Sequence, residues 1–273
     1  MLLVLNVNNT NTVIAVYTLA ADGLTGDLRA TWRISTRQGQ TADEYGILVR
    51  SLLSSENVDS TAIRGIIIAS VVPPVDWILR QFCGRYFNQK PLFIEPGVKT
   101  GLPILTDNPG EVGADRVANC VGAFHKYGGP TIVVDFGTAT NFDVVSKKGE
   151  FLGGAIAPGL NISAEALFAR AARLPRVEIR RPAKIIGTNT VDNLQIGLFW
   201  GHIGLVDSIL ERMIAELGTE TKCVATGGLS HLIARESKYI SEVNDMLTLE
   251  GLRLIYDRNH GARNQPPPRA AGD

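Results

Sequence analysis

Residues Leu2–Val7 are apolar at every position except Asn6, a run too short for a helix face and too continuous for an amphipathic one. They predict a buried strand. The polar turn Asn8-Asn9-Thr10-Asn11 follows, and residues 12–17 return as a second strand. The same order recurs downstream as the apolar run TIVVDF at 131–136, the turn GTAT and the run NFDVV to residue 145. Superposing Asn6 on Asp135 puts Val7 on Phe136, Asn8 on Gly137, Thr10 on Ala139 and Val13 on Phe142. A strand, polar turn and strand opening each half predict an internal duplication, two related domains meeting at a cleft.

Other runs fit the same plan. Residues 65–72 (GIIIASVV) and 222–226 (KCVAT) read as strands that stop at Pro73-Pro74 and Gly227-Gly228, each before a helical stretch, 75–86 and 230–238. Helical patterns also cover 42–54, 113–127, 162–172 and 191–217. Apolar strands alternating with helices indicate an α/β architecture with covered sheets. The expected division is 1–127 for the first domain and 128–258 for the second. The polar, proline-rich stretch 259–273 predicts a disordered tail.

The 273 residues suffice for about two domains of roughly 100–200 residues each. Lys plus Arg equals Asp plus Glu at 27 each, so no global charge favours nucleic acid or an anionic membrane. The densest basic group is Arg170, Arg173, Arg176, Arg180 and Arg181. Cys83, Cys120 and Cys223 lie among apolar neighbours without metal-ligand spacing, which reads as buried free thiols. The N-terminus lacks the pattern of a signal peptide, and no apolar run approaches the roughly 20 residues that span a bilayer. A cytoplasmic protein is expected.

Turns rich in Gly, Ser and Thr at strand ends allow close backbone approach to phosphate and offer N–H donors. Residues 6–10, 135–140 and 226–230 qualify, the last containing Gly227 and Gly228. Asp135 ends an apolar strand, where a carboxylate needs a donor, a cation or a metal. It reads either as a holder of turn N–H groups or as a cation ligand beside phosphate. A second group, Gly113-Ala114-Asp115-Arg116, opens a helix and gathers a base, a cation and free backbone donors. The dipole alone also favours an acid there. His202, two positions after Trp200, reads as a packing or interface histidine.

Together these segments resemble the type III pantothenate kinase family. The similarity runs from Met1 to about Asn259 through Gly113–Arg116 (GADR), 135–140 (DFGTAT), 153–159 (GGAIAPG), Asn189-Thr190 and 225–228 (ATGG), in the family's order. The resemblance implies two duplicated ribonuclease-H-like domains of the actin-like ATPase and sugar-kinase superfamily, and a homodimer. It implies ATP-dependent phosphorylation of the primary hydroxyl of pantothenate, the first step toward coenzyme A. By it Asp115 is the general base, and Gly113, Ala114, Asp115 and Arg116 hold the substrate, with Arg116 toward its carboxylate. Thr190 is a pantothenate contact donated by the partner subunit, which puts the site at the dimer interface. Asp135 is a ligand for a monovalent cation (K+ or NH4+), and Mg2+ accompanies the nucleotide. Thr138 is an ATP contact, and Asn6, Val7, Asn8, Asn9, Thr10, Asn11, Thr12 and Val13 form the loop on the ATP phosphates.

Three positions depart from the family. Its first-loop Asp is Asn6, its Gly is Asn8, and its Tyr seven residues before Gly113 is Thr106. Asn6 brings no charge to organise Mg2+. Asn8 tolerates a left-handed backbone but puts a side chain where phosphate approaches. Thr106 removes an aromatic wall from the substrate pocket. The readings left open are a working pantothenate kinase with an altered ATP loop, a catalytically silent relative with a regulatory or transcriptional role, and another small-molecule kinase or phosphohydrolase.

Overall fold

The computed structural model describes residues 1–20 and 23–260. In chain order it holds β1 (Leu2–Val7), β2 (Asn11–Leu19), β3 (Thr25–Ser35), α1 (Ala42–Ser55), β4 (Gly65–Ser70), α2 (Pro73–Phe87) and β5 (Leu92–Phe93). Then come α3 (Ala114–Tyr127), β6 (Thr131–Phe136), β7 (Ala139–Val145), β8 (Phe151–Pro158), α4 (Leu160–Arg170) and α5 (Thr190–Leu217). The last elements are β9 (Lys222–Gly227), α6 (Ser230–Ala234), β10 (Glu242–Val243) and α7 (Leu247–His260). Two expectations shift here. Asn259 and His260 close α7, and the rest of the expected tail lies outside the described residues. The helix expected at 230–238 stops at Ala234, where Ser237 turns to hydrogen-bond Asp207.

The strands form two five-stranded sheets, β3-β2-β1-β4-β5 and β8-β7-β6-β9-β10. In each, the central strand (β1 or β6) is antiparallel to the strand after it and parallel to the strand two further on (β4 or β9). The duplication foreseen in the sequence is therefore present in the topology. A strand buried on both faces can be apolar throughout, which is why LLVLNV and TIVVDF show no alternation. The outermost long strand, β3, is exposed or half-exposed along its whole length and rich in polar residues; lacking a buried run, it escaped the sequence reading.

Each sheet builds a core on one face. Leu3, Leu5 and Val7 of β1 pack with Tyr45, Val49 and Leu53 of α1 and with Val75, Leu79 and Phe82 of α2. In the second, Ile132, Val134 and Phe136 of β6 pack with Phe199, Ile203, Val206 and Leu210 of α5. Strand alternation then sends Asn6 and Asp135 to the opposite face of their sheets.

The hairpins differ in one respect. Asn6 pairs with Val13, whereas Asp135 pairs with Asn141, so the first turn carries one residue more than the second. The superposition above holds along β1 and β6 but slips on the return strands. Thr12 corresponds to Thr140, Val13 to Asn141 and Ile14 to Phe142, matching buried with buried in the outer two pairs and half-buried with half-buried in the middle one. An ungapped comparison cannot reveal an insertion confined to a turn.

Chain contacts divide the described residues into two units that are not the continuous segments 1–127 and 128–258. The first holds Met1–Gly101, Asn108–Gly122 and the chain from Thr248; the second holds Leu102–Asp107 and Ala123–Leu247. Helix α7 belongs to the first because Gly251 lies directly against the Ala118 carbonyl of α3, and Tyr256 fills the space beside Gly65 at the start of β4. Asp257 adds bonds from the N–H and hydroxyl of Thr25 at 2.9 and 2.6 Å.

Candidate active site

In the first unit the carboxyl ends of β1 and β4 lie side by side, since parallel strands end at one edge of a sheet. The Val71 N–H donates to the Val7 carbonyl at 3.0 Å. Gly113 sits against Val71, so the Asn6–Asn8 segment and the N-terminus of α3 meet around that residue. A Cβ at position 113 would stand 2.8 Å from Asp115 Oδ1, so a larger residue there would press on the carboxylate. The Arg116 N–H donates to Asp115 Oδ1 at 2.8 Å. Burial pushes the Asp115 pKa above the ordinary carboxylate range, opposed by that backbone N–H and by the Arg116 charge.

Asn6 and Asn8 each have a buried Oδ1 with no hydrogen-bond partner. Asn8 does not use the left-handed backbone it could tolerate; among the described non-glycine residues only Asn57 and Asn88 do. Its N–H closes the turn by donating to the Asn11 carbonyl at 3.1 Å, while Asn9 and Thr10 face solvent. Thr12 is buried inside the hairpin, its hydroxyl sharing a hydrogen bond with the Thr36 hydroxyl at 2.8 Å.

The second unit gathers a matching set. Asp135 pairs with Thr226 and Phe136 with Gly227, so the 135–140 and 226–230 turns adjoin. Gly227 has φ of +93°, and a Cβ there would stand 2.5 Å from Asp135 Oδ1. Only glycine serves both demands. The Gly137 N–H donates to the Ala139 carbonyl at 3.0 Å, leaving Gly137 and Thr138 exposed at the tip; Gly228 is exposed as well. Gly159, from the GGAIAPG motif, packs against the Thr138 carbonyl.

Below this turn lies a contact that motif reading passed over. Thr140 and His202 of α5 are buried and share a hydrogen bond between Oγ1 and Nε2 at 3.2 Å. The Phe136 ring lies 6.1 Å from the imidazole. Burial lowers the His202 pKa, so the ring is neutral near pH 7. The packing histidine expected from sequence is thus tied to a turn residue 62 positions away.

Thr106 also falls in the second unit, close to Gly153 of β8, with a buried hydroxyl oxygen that has no hydrogen-bond partner. Thr190 is exposed at the first position of α5, after the cap in which Asn189 Oδ1 accepts from the Asp192 N–H at 2.9 Å.

Taken unit by unit, the described residues hold polar turns at strand ends, a carboxylate with raised basicity at a helix start, and a second carboxylate between glycine turns, groups with the chemistry to serve phosphoryl transfer. Two sheets of identical strand order with such turns define the actin-like ATPase and sugar-kinase fold. A solved relative in shape is the activator of 2-hydroxyisocaproyl-CoA dehydratase from Clostridium difficile with bound ADPNP, at a TM-score of 0.55 and 13% identity, covering 95% of each chain. Within that class the chain belongs to the type III pantothenate kinase family, whose profile matches residues 2–212. It is 80% identical to the type III pantothenate kinase of Acidobacterium capsulatum over 97% of each chain. To that of Koribacter versatilis it is 63% identical, over 95% of this chain and 96% of the other.

Proposed function

We propose that this protein transfers the γ-phosphoryl group of ATP to the primary hydroxyl of pantothenate, giving 4'-phosphopantothenate for coenzyme A synthesis. The observation that carries the reading is Asp115: a carboxylate of raised pKa, held by the Arg116 N–H beside Gly113 and next to the β1 and β4 ends. It accepts the hydroxyl proton as the oxygen attacks phosphorus, and Arg116 faces the substrate carboxylate. Membership of the family supports pantothenate as the substrate.

Residues 6–13 are the proposed contacts of the ATP phosphates in the first unit, and Thr138, Gly227 and Gly228 are the proposed nucleotide contacts of the second. Mg2+ bound with the nucleotide supplies neutralisation of phosphate charge. The Asn6–Asn8 turn itself brings no carboxylate to it, only two unpartnered amide oxygens suited to hydrogen bonds from water. Asp135, pressed by Gly227, suits a monovalent cation such as K+ or NH4+. Cys83, Cys120 and Cys223 are buried and form no disulfide among the described residues, which agrees with work in the reducing cytoplasm. Ile156 of the edge strand β8, with Ile185, Ile186 and Val191 around Thr190, leaves exposed apolar surface suited to a second copy of the chain. Through that contact Thr190 would reach the partner's pantothenate.

The test is phosphopantothenate formation by the purified protein with pantothenate, ATP, Mg2+ and K+. Product is expected. Its absence both from the natural protein and from a variant carrying Asn6→Asp and Asn8→Gly would refute the reading.

A further inference from the structure

We propose that His202 is a positioning residue for the nucleotide turn: from inside the second unit it fixes Thr140, and so sets the geometry of Gly137 and Thr138. This deepens the kinase reading and rests on it, because it assigns the turn to the nucleotide.

The geometry is direct. Thr140 faces Phe136 across the hairpin, so the two residues form the base of a three-residue tip, 137–139. That tip is closed by one backbone hydrogen bond and braced at the Thr138 carbonyl by Gly159. Its base is fastened by His202, whose Nε2 shares a hydrogen bond with Thr140 Oγ1 while the ring packs near Phe136. His202 and Thr140 are 6% and 1% exposed, so water does not compete for the bond. An apolar pair of the same volume would fill this space at little cost, since a net buried hydrogen bond adds only modestly to stability. What the polar pair adds is direction: it fixes where the Thr140 side chain points, and with it the start of β7.

The other hairpin argues for the same device independently. Thr12 holds the equivalent place at the start of β2, is likewise buried, and is likewise fastened by its hydroxyl, to Thr36. Both proposed nucleotide turns thus rest on a buried threonine whose hydroxyl is tied within its own unit, by different partners. His202 also lies on α5, the helix that begins at Thr190.

The experiment compares the natural protein with His202→Phe, His202→Gln, Thr140→Val and the double variant His202→Phe/Thr140→Val. Kinetics are measured with ATP and pantothenate varied separately, and the affinity for a non-hydrolysable ATP analogue by calorimetry. Both His202→Phe and Thr140→Val are expected to raise the KM for ATP and the analogue Kd about tenfold. The kcat and the KM for pantothenate should stay within about twofold. His202→Gln, which keeps a polar group in reach of Thr140, should restore most of the nucleotide affinity. The double variant should be no worse than either single one, because both break one bond.

Equal losses in both substrates, additive losses in the double variant, or unchanged nucleotide affinity would overturn the proposal. Thr140→Val, a change of one hydroxyl at constant volume, keeps the test decisive should His202→Phe fail to fold. Failure of the kinase reading looks different: the natural protein would form no phosphopantothenate, while the calorimetric comparison would still report on the turn.

Discussion

Asn6 and Asp135 stand at equivalent positions, one residue before the ends of the central strands of the two sheets, each paired to a return strand on one side and a parallel strand on the other. One is an amide whose Oδ1 is buried without a partner; the other is a carboxylate lodged against Gly227. The same backbone thus presents a neutral group in the first unit and a charged one in the second. An unpartnered buried oxygen is costly in the empty protein, and a ligand that supplies a donor removes that cost.

Restoring charge at position 6 should therefore change the response to Mg2+ first. Asn6→Asp is expected to raise kcat about tenfold and to lower the Mg2+ concentration for half-maximal rate. In the absence of nucleotide it should lower the melting temperature, because a buried carboxylate is harder to desolvate than an amide; Mg2+ and ATP should reverse the loss. Asn8→Gly should act separately, lowering the KM for ATP by about threefold through the space it frees. Steady-state rates over a Mg2+ series, with melting curves at matched conditions, test both. A rate and Mg2+ response identical to the natural protein's would remove Asn6 from the phosphate site.

These contrasts show what the sequence could carry. The continuous apolar runs before Asn6 and Asp135 made both central strands legible, because burial on two faces leaves no other pattern. The GADR and ATGG motifs marked Asp115 and Gly227 because glycine stands where a side chain would collide. The one-residue difference between the hairpins stayed hidden, since turn length answers to pairing register and not to composition. His202 was equally silent: its partner lies 62 residues away, and a lone histidine on a helix has no local signature. The home of α7 was hidden for the same reason, as the contact between Gly251 and Ala118 joins distant parts of the chain.

That contact supports a stability prediction. Any side chain at position 251 would meet the Ala118 backbone, which cannot swing aside as a side-chain tip can. Gly251→Ala should add helix propensity to α7 but force the two helices apart, a net loss of about 1–3 kcal/mol. Denaturant unfolding measures it. A variant as stable as the natural protein would show that α7 tolerates displacement from α3.

Asp115 should trade stability for activity. Its folded pKa lies above the unfolded value because burial disfavours the charged form. The penalty is absent at pH below the ordinary carboxylate range and grows as pH rises from there through the raised folded value. Asp115→Asn should therefore lower kcat by about 10²–10⁴ while raising the melting temperature at neutral pH. The acid limb of the natural enzyme's pH profile should lie above the ordinary carboxylate range, since the base works only when ionised. Unchanged kcat in the variant would assign Asp115 to capping α3 alone.

Gly227 and Asp135 form the other coupled pair, and cation dependence is the way to read it. Gly227→Ala puts a Cβ into a backbone with φ of +93° and 2.5 Å from Asp135 Oδ1. Strain of about 1–2 kcal/mol is expected from the backbone alone, with the carboxylate pushed from its place. Asp135→Asn keeps the shape and removes only the charge. If the carboxylate holds a monovalent cation, both variants should need several-fold more K+ for half-maximal rate, and Na+ should replace K+ poorly in the natural protein. The two variants then part in stability: Gly227→Ala melts lower even without K+, and Asp135→Asn does not. A natural protein whose rate ignores the choice of K+ or Na+ would leave Asp135 with the turn N–H groups as its only task.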